Sequence, residues 1–495
     1  MNKTYTSWQK NLVGWLCLAA LLLFMVRTVP PLAESEVTYK FFFLLGALGI
    51  WRYGMAALNF VRGMYFLYLV YPRHCRQIDA MGSAADPDAL FVLVTSFRID
   101  TPTTIDVYRS IMEEARQCTY PVTIVASLVE YADEALVKKL WQSHNLPAHV
   151  SLKIIRIKGS GKRDALAYGF RSIAKEMPTD RSVVAVVDGD TIVTQGALRK
   201  SAKFFALFPQ LGGLTTDEFS EPRFEDYFLR EFHRMRFSQR HISMASMALS
   251  NRVLTMTGRM SLFRGSAACN SNFMELVQRD NLDHWRLGRF RFLTGDDKST
   301  WYSLMLAGWD TYYVPDVKVI TMEYSPHPNF FTATRMLMFR WSGNSLRQNI
   351  RATNLGPGKL GWFTYWTLWD QRIAMWTTLF GPVVAIIGSI KYSIVYMLIY
   401  LTWVLISRII RTLIQAFGGH RVGPLWPVLM FYNQLIGAVI KIDVLFNLNK
   451  QSWTRQKTTL ESHGDRLKET LSALSSKVAI VSSVCVFVAL VFPLV

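Results

Sequence analysis

Cysteine is scarce in this chain. Five occur in 495 residues, Cys17, Cys75, Cys118, Cys269 and Cys485, and none stands at a metal-ligand spacing from another. An odd, scattered set argues against a disulfide framework or a zinc site and places the main domain in a reducing compartment. Internal repeats and low-complexity linkers are also missing, which excludes solenoids and disordered spacers. Between residues 75 and 350 there is no long apolar run, so that stretch is not membrane-spanning.

What is present is a mixture. Hydrophobic residues make up 51% of the chain and charged residues 18%, and the mean hydropathy is slightly positive, +0.16. A polar domain joined to apolar segments fits those values. The net charge is +19, from 55 Lys and Arg against 36 Asp and Glu. Such an excess suits anionic lipid, nucleotide sugar, nucleic acid or an acidic polymer without choosing among them. Part of it flanks apolar segments, as cytoplasmic anchoring does.

Leu12–Val26 is uncharged and apolar. It reads as a membrane span rather than the alternative, a secretory signal, because it ends in Arg27 and prolines and more apolar chain follows. Phe41–Val61 is a second span broken only by Arg52, which faces protein or snorkels to an interface. After residue 360 the membrane pattern returns at Ile373–Ile390, Tyr392–Ser407, Leu425–Ile440 and Val478–Val495. Residues 449–477 carry six Lys or Arg against three acids, which favours the cytoplasm. If residues 75–350 are also cytoplasmic, one of the three preceding runs must lie on the interface or double back. Leu425–Ile440, with Pro427, Asn433, Gln434 and Gly437, is the expected one. The organisation expected is therefore 1–72, 73–350 and 351–495.

Within the middle part, short apolar runs alternate with amphipathic ones. Ala89–Thr95, Val122–Val129, Leu152–Ile157 and Val183–Val187 read as buried strands, and Thr104–Cys118, Asp133–His144 and Asp164–Glu176 as helices between them. The alternation predicts an α/β sheet of parallel strands, with ligands at the carboxyl ends of the strands.

Four motifs carry chemistry. Asp188-Gly189-Asp190 directly follows the strand Val183–Val187. Two carboxylates one residue apart suit a divalent cation that neutralises a diphosphate; an ordinary Asp-Gly turn is the other reading. Gly295-Asp296-Asp297 opens a helical pattern, as a general base or as a helix cap, and only one of the two acids needs the first role. Phe339-Arg340-Trp341-Ser342-Gly343-Asn344 suits a diphosphate and a stacked sugar, or a basic juxtamembrane helix holding headgroups. Lys158-Gly159-Ser160-Gly161-Lys162 suits phosphate, or is a solvated basic loop. It lacks P-loop spacing, which argues against nucleoside triphosphate hydrolysis.

In this order and spacing the chain resembles the processive family-2 glycosyltransferases, the cellulose, chitin and hyaluronan synthases. That resemblance implies an α/β GT-A (Rossmann-like) cytoplasmic domain embedded between transmembrane helices that form a channel. It implies Asp188 and Lys162 at the nucleotide sugar, Asp188 and Asp190 at a divalent cation (Mg2+ or Mn2+), Asp297 as general base and Arg340 at the diphosphate. Trp341, Gly258 and Arg259 fall at the acceptor and channel entrance, with Phe263-Arg264 in the same segment. Leu337 stands where the family's Gln-x-x-Arg-Trp motif has Gln. Trp453, Thr454 and Arg455 resemble the gating loop, with a glycine missing between Trp and Thr.

His284–Thr300, Asp310–Val317, Ser342–Asn349 and Asn433–Gln456 further resemble the alginate polymerases, the polymannuronate synthases. This implies GDP-mannuronate as donor and polymannuronate as product, made and exported across a bacterial inner membrane. It also implies a PilZ-domain subunit that binds cyclic di-GMP, periplasmic export and modification proteins, and no nucleic acid. The chain itself has no PilZ-type Asp-x-Ser-x-x-Gly signature. Alternatives are a polysaccharide synthase using a UDP-sugar, a non-processive lipid glycosyltransferase, and a scaffold with a dead transferase domain. Intact Asp188, Asp190, Asp297 and Arg340 oppose the last.

Overall fold

The computed structural model describes residues 8–28, 36–159, 161–222, 226–453, 458–459 and 466–494. Its centre is an eight-stranded sheet formed by β1 (Leu90–Thr95), β2 (Val122–Leu128), β3 (Val150–Arg156), β4 (Val183–Asp188), β5 (Thr191–Val193), β6 (Leu211–Pro222), β7 (Met260–Arg264) and one strand of residues Asp310–Glu323. Two short strands, β8 (Asn281–His284) and β9 (Gly288–Arg291), pair as a separate hairpin, so Asp310–Glu323 is β10.

The sheet order is β3-β2-β1-β4-β7-β6-β10-β5. The half expected from the sequence is parallel: β1 pairs with β2 and β4, and β2 with β3. Thr101–Arg116, Tyr131–Ser143 and Lys162–Ala174 are its connecting helices. The other half corrects the expectation of an all-parallel sheet. There β7 runs antiparallel to β4 and β6, and β5 antiparallel to β10. β5 follows β4 after only two residues, too short a link for a parallel crossover back beside β4, and it pairs with β10 at the sheet edge instead.

The strands form because they are runs of β-branched and aliphatic residues covered on both faces. All six residues of β1, and Val183–Val187 of β4, are buried. Polar residues appear where the strands end, at Asp188 of β4, at Glu323 of β10 and at Glu218 late in β6. The tertiary structure thus stacks carboxylates along one rim of an apolar sheet.

Among the described residues, five helical stretches are long and apolar enough to cross a membrane: Asn11–Thr28, Trp362–Lys391, Val395–Phe417, Trp426–Phe446 and Thr470–Leu494. Leu425–Ile440, expected to lie on the interface or double back, falls in the 21-residue helix Trp426–Phe446 except for Leu425, which is its N-cap. Pro427 is accommodated in its first turn, where its missing N–H costs no helical bond. Glu36–Tyr65 is a continuous 30-residue helix. Its Arg52 faces protein, 2.7 Å from Asp370 of the helix Trp362–Lys391.

Candidate active site

Asp188 is the last residue of β4, and its side chain projects from the rim. Its amide donates to the Arg259 carbonyl at 3.0 Å, and the Gly189 amide to the Thr95 carbonyl at 2.9 Å. A Cβ on Gly189 would sit 2.8 Å from that carbonyl oxygen and 2.9 Å from Ser96 Cα. Glycine is therefore needed for the chain to turn tightly against β1 and return Asp190 to the same rim. The Asp190 carbonyl accepts from the Met322 amide at 2.9 Å, which ties the turn to β10.

Lys162, the first residue of its helix, reaches both acidic motifs. Its Nζ lies 2.6 Å from Asp188 Oδ1 and 2.9 Å from Asp296 Oδ2. Gly258 borders this cluster, since a Cβ there would meet Lys162 Nζ at 3.1 Å and Asp188 Oδ2 at 3.4 Å. Burial pushes the Asp188 carboxyl up; Lys162 opposes this, Asp190 and Asp296 add to it, and the result is about 7. Burial works against the Lys162 ammonium, but its two carboxylate partners outweigh it and raise its pKa. Asp296 is also buried, yet Lys162 and Arg163 hold its carboxyl below the usual range. Burial and the pairing of carboxylates with Lys162 thus act against each other here, and burial wins at Asp188 while the cations win at Asp296.

Of the two acids in the motif, Asp296 was the one left free to cap the helix; in the structure it shares the lysine that pairs with Asp188. Asp297, the next residue, accepts from Thr255 Oγ1 at 3.1 Å. Burial raises its carboxyl above the ordinary value, Lys298 and Lys162 counteract, and Asp296 adds to the rise. A carboxylate made more basic in this way suits proton abstraction.

The loop before Asp296 is clamped from behind. Gly295 has φ 85°, and a Cβ there would lie 3.1 Å from Asn344 Cγ. Asn344 Oδ1 accepts from Thr294 Oγ1 at 2.7 Å and from Arg347 at 2.6 Å. Arg163 donates to the Thr294 carbonyl at 3.0 Å. The helix Phe330–Ala352, which carries Arg340-Trp341, thereby fixes the acidic loop.

Arg340 is half-buried among the charges of Glu323, Asp297 and Asp190, with Arg259 close by. Burial lowers its pKa, but a guanidinium keeps its proton there. Arg259 pairs with Glu218 at 2.8 Å and with Glu323. Burial of Glu323 would raise its carboxyl, but the Arg259 and Arg340 guanidinium groups hold it down to about 2. Trp341 stands on another face of the same helix, 6.0 Å from the His233 ring with Arg236 above it at 5.3 Å. Burial lowers the His233 imidazole to about 4, so it is neutral.

The structure thus gathers Asp188, Asp190, Lys162, Gly258, Arg259, Asp297 and Arg340 at one rim. It does not bring in Phe263-Arg264. Register pairs Arg264 with Val183, the far end of β4, and its guanidinium donates to the carbonyls of Leu211, Phe205, Phe208 and Asp180. Leu337 packs in an apolar cluster with Phe232 and Met430. In the gating-loop motif, Thr454 and Arg455 lie outside the described residues, as does Ser160 of the glycine loop; Trp453 falls in a two-residue strand. Just before it, Gln451 accepts from the Leu293 amide at 3.0 Å and donates to the Arg291 carbonyl at 2.9 Å. Sequence reading missed Glu218, Glu323, His233 and Thr255. The one signal for Glu323 was an acid ending a β-rich run, the signal already used for Asp188.

The donor set at Asp188 and Asp190 is hard carboxylate oxygen with negative charge in excess, which fits a divalent cation. Among the described residues no group of three or more His, Cys, Asp or Glu could hold a metal. Such an ion would thus depend on ligands from phosphate and water as well.

A Rossmann-like sheet ending in an Asp-x-Asp turn, an acidic helix start and an Arg-Trp helix fit a glycosyltransferase, and the chain belongs to the family described as glycosyltransferase like family 2, whose pattern matches residues 87–344. More narrowly, it is 50% identical over 97% of its length, and 98% of the relative's, to glycosyltransferase alg8 of Pseudomonas syringae pv. tomato. It is 49% identical to glycosyltransferase alg8 of Azotobacter vinelandii over 96% of each chain. The resemblance to the alginate polymerases therefore stands, and the protein is a glycosyltransferase. A mannosyltransferase from Pyrobaculum calidifontis, solved with GDP-Man and Mn2+, is loosely similar in structure. Its TM-score is 0.45 and its identity 15%, over 81% of this chain and 98% of that one.

Proposed function

We propose that this protein is a processive, inverting glycosyltransferase that polymerises mannuronate from GDP-mannuronate and exports polymannuronate across a bacterial inner membrane. The observation that carries the reaction is the convergence of Asp188, Lys162, Asp297 and Arg340 at one sheet rim. The donor identity rests on the alg8 relatives. The organisation we assign is 1–72 as N-terminal membrane helices, 73–350 as the cytoplasmic catalytic domain and 351–495 as interfacial helices, channel helices and gating loop.

In this mechanism Asp297 takes the proton from the acceptor hydroxyl as its oxygen attacks the donor's anomeric carbon, and the bond to the diphosphate breaks on the opposite face. The raised basicity of Asp297 favours this transfer. Asp188 and Lys162 position the nucleotide, and Arg340 compensates charge on the departing diphosphate. Asp188 and Asp190 would hold a divalent cation, which supplies further neutralisation of the diphosphate when bound. Trp341 is assigned to stack against the acceptor sugar, and Gly258 and Arg259 to the acceptor side. Trp453, Thr454 and Arg455 are assigned to the gating loop. The proposed partners are a PilZ-domain cyclic di-GMP-binding subunit and periplasmic export and modification proteins.

The test is turnover of GDP-mannuronate and of UDP-sugars, supplied separately to membranes containing the full complex. Long polymer from GDP-mannuronate alone is expected. Polymer from a UDP-sugar alone overturns the donor, and products of one or two sugars on lipid overturn processivity.

A further inference from the structure

The hairpin β8–β9 is apolar where it meets the rest of the fold and open at its tip. Leu282 and Phe292 are buried in an apolar cluster that includes Leu448, and Leu287 and Phe290 pack against it. At the tip the pattern reverses. Trp285 is 90% exposed, the most exposed large apolar side chain among the described residues. The turn that carries it is fixed, because His284 Nδ1 accepts from the Arg286 and Leu287 amides, each at 3.2 Å. The His284 ring also stacks on the indole, with centroids 5.9 Å apart and planes 24° from parallel. An indole held out rigidly in water is unfavourable, whereas its amphipathic ring suits a membrane–water boundary.

Arg286, the next residue, sets the height of the tip. Its guanidinium donates to Ser475 Oγ at 2.9 Å, to Ser476 Oγ at 2.8 Å and to the carbonyl of Phe446, the last residue of the apolar helix Trp426–Phe446. Ser475 and Ser476 stand where the helix Arg466–Val491 changes character. Ser472, Ser475, Ser476 and Lys477 are polar, and from Val478 onward no charged residue follows. The apolar stretch Thr470–Leu494 has 25 residues, about 37 Å of helix against an apolar bilayer core of about 30 Å. Its serine-bearing first turns therefore lie in the headgroup layer, and Trp285, one residue from Arg286, comes to that level. The flank of the hairpin is basic. Arg279, Arg289 and Arg291 are exposed against one exposed acid, Asp283, which lies 3.7 Å from Arg289. A positive excess at this height faces anionic headgroups.

We propose that Trp285, with Arg289 and Arg291, is an interfacial anchor that seats the tip of this hairpin in the anionic headgroup layer of the leaflet facing the catalytic domain. The occupant is the lipid surface rather than a partner protein, because two apolar helices set the height of the tip and its charge excess is positive. The anchor also steadies the transfer site. Beyond β9 the chain runs through Leu293, whose amide donates to Gln451, directly into Thr294-Gly295-Asp296. The proposal rests on the apolar helices being membrane-embedded and does not depend on the donor sugar.

The experiment uses the full chain, first in membranes and then in nanodiscs. With the photoreactive residue benzoylphenylalanine in place of Trp285, irradiation of membranes containing the full complex is expected to give a phospholipid adduct at that position, read by mass spectrometry. An adduct with another protein, or no adduct, overturns the anchor. In nanodiscs of phosphatidylcholine mixed with phosphatidylglycerol, the adduct is expected to favour phosphatidylglycerol by about fivefold or more, and the double variant Arg289→Gln, Arg291→Gln to lose that preference. Equal labelling of the two lipids with both arginines in place overturns it. All these positions are exposed, so each variant is expected to melt within about 2 °C of wild type. A much larger drop for Trp285→Ala makes the indole a packing residue and overturns the anchor. Alkaline carbonate extraction is run on the same membranes. A chain stripped off by carbonate refutes the membrane reading itself, whereas a chain that stays and gives no lipid adduct refutes the anchor alone.

Discussion

Lys162 Nζ lies 2.6 Å from Asp188 Oδ1, joining the start of a helix to the end of the central strand β4. The same ammonium is 2.9 Å from Asp296, so one side chain locks the two acidic motifs into a single site.

Replacing Lys162 with Met leaves two buried carboxylates facing each other. Breaking a buried pair in this way costs about 3–5 kcal/mol. Lys162→Met is expected to lower the unfolding midpoint and abolish donor turnover, checked by thermal unfolding in detergent and by GDP release. A variant as stable as wild type would show that Lys162 does not carry this charge balance.

Asp297→Asn removes the proposed base while keeping its size and its contact with Thr255. Transfer should fall about a hundred- to ten-thousand-fold, the usual contribution of general-base assistance, with nucleotide affinity little changed. Single-turnover transfer and GDP binding measured on the same preparation separate the two effects. An undiminished rate removes Asp297 from the proton-transfer role.

The pH dependence follows from the direction of two shifts. Asp188 and Asp297 are both raised, and both act in their ionised forms. Activity at limiting cation should therefore fall as pH drops through about 7, well above an ordinary aspartate near about 3.9. Excess Mn2+ or Mg2+ competes with protons at Asp188 and should move that limb to lower pH. Stability runs in the opposite sense: a raised carboxyl contributes stability below its unfolded pKa that is lost as pH rises through about 7. Cation-free protein should thus melt lower at about pH 8 than at about pH 5, and added cation should close the gap. Rate profiles and melting curves with and without chelator check both signs.

Gly189→Ala places a methyl 2.8 Å from the Thr95 carbonyl oxygen and 2.9 Å from Ser96 Cα. Backbone must move to relieve that, carrying Asp188 and Asp190 with it. A destabilisation of about 1–3 kcal/mol is expected, together with a larger loss of activity than of stability. Gly258→Ala meets the flexible end of Lys162 at 3.1 Å and should be milder. If Gly189→Ala is the milder of the two in polymer assays, the tight turn is not what aligns the carboxylates.

By itself the sequence determined the elements whose physics is local. The apolar runs of β1 to β4, the helices between them and the long apolar helices announce themselves through periodicity and length, and Asp188 follows directly from its place after a valine-rich strand. Asp190, Asp297 and Arg340 were also legible, since each stands in a short motif. Only the tertiary structure decided which charges meet. Lys162 and Asp296 are 134 positions apart in number, yet share one bond. Arg259 pairs with Glu218 and Glu323 from two other strands, and Arg264 is carried to the opposite end of the sheet by antiparallel register. Strand order and direction depend on how distant faces pack, and no short window of sequence holds that information.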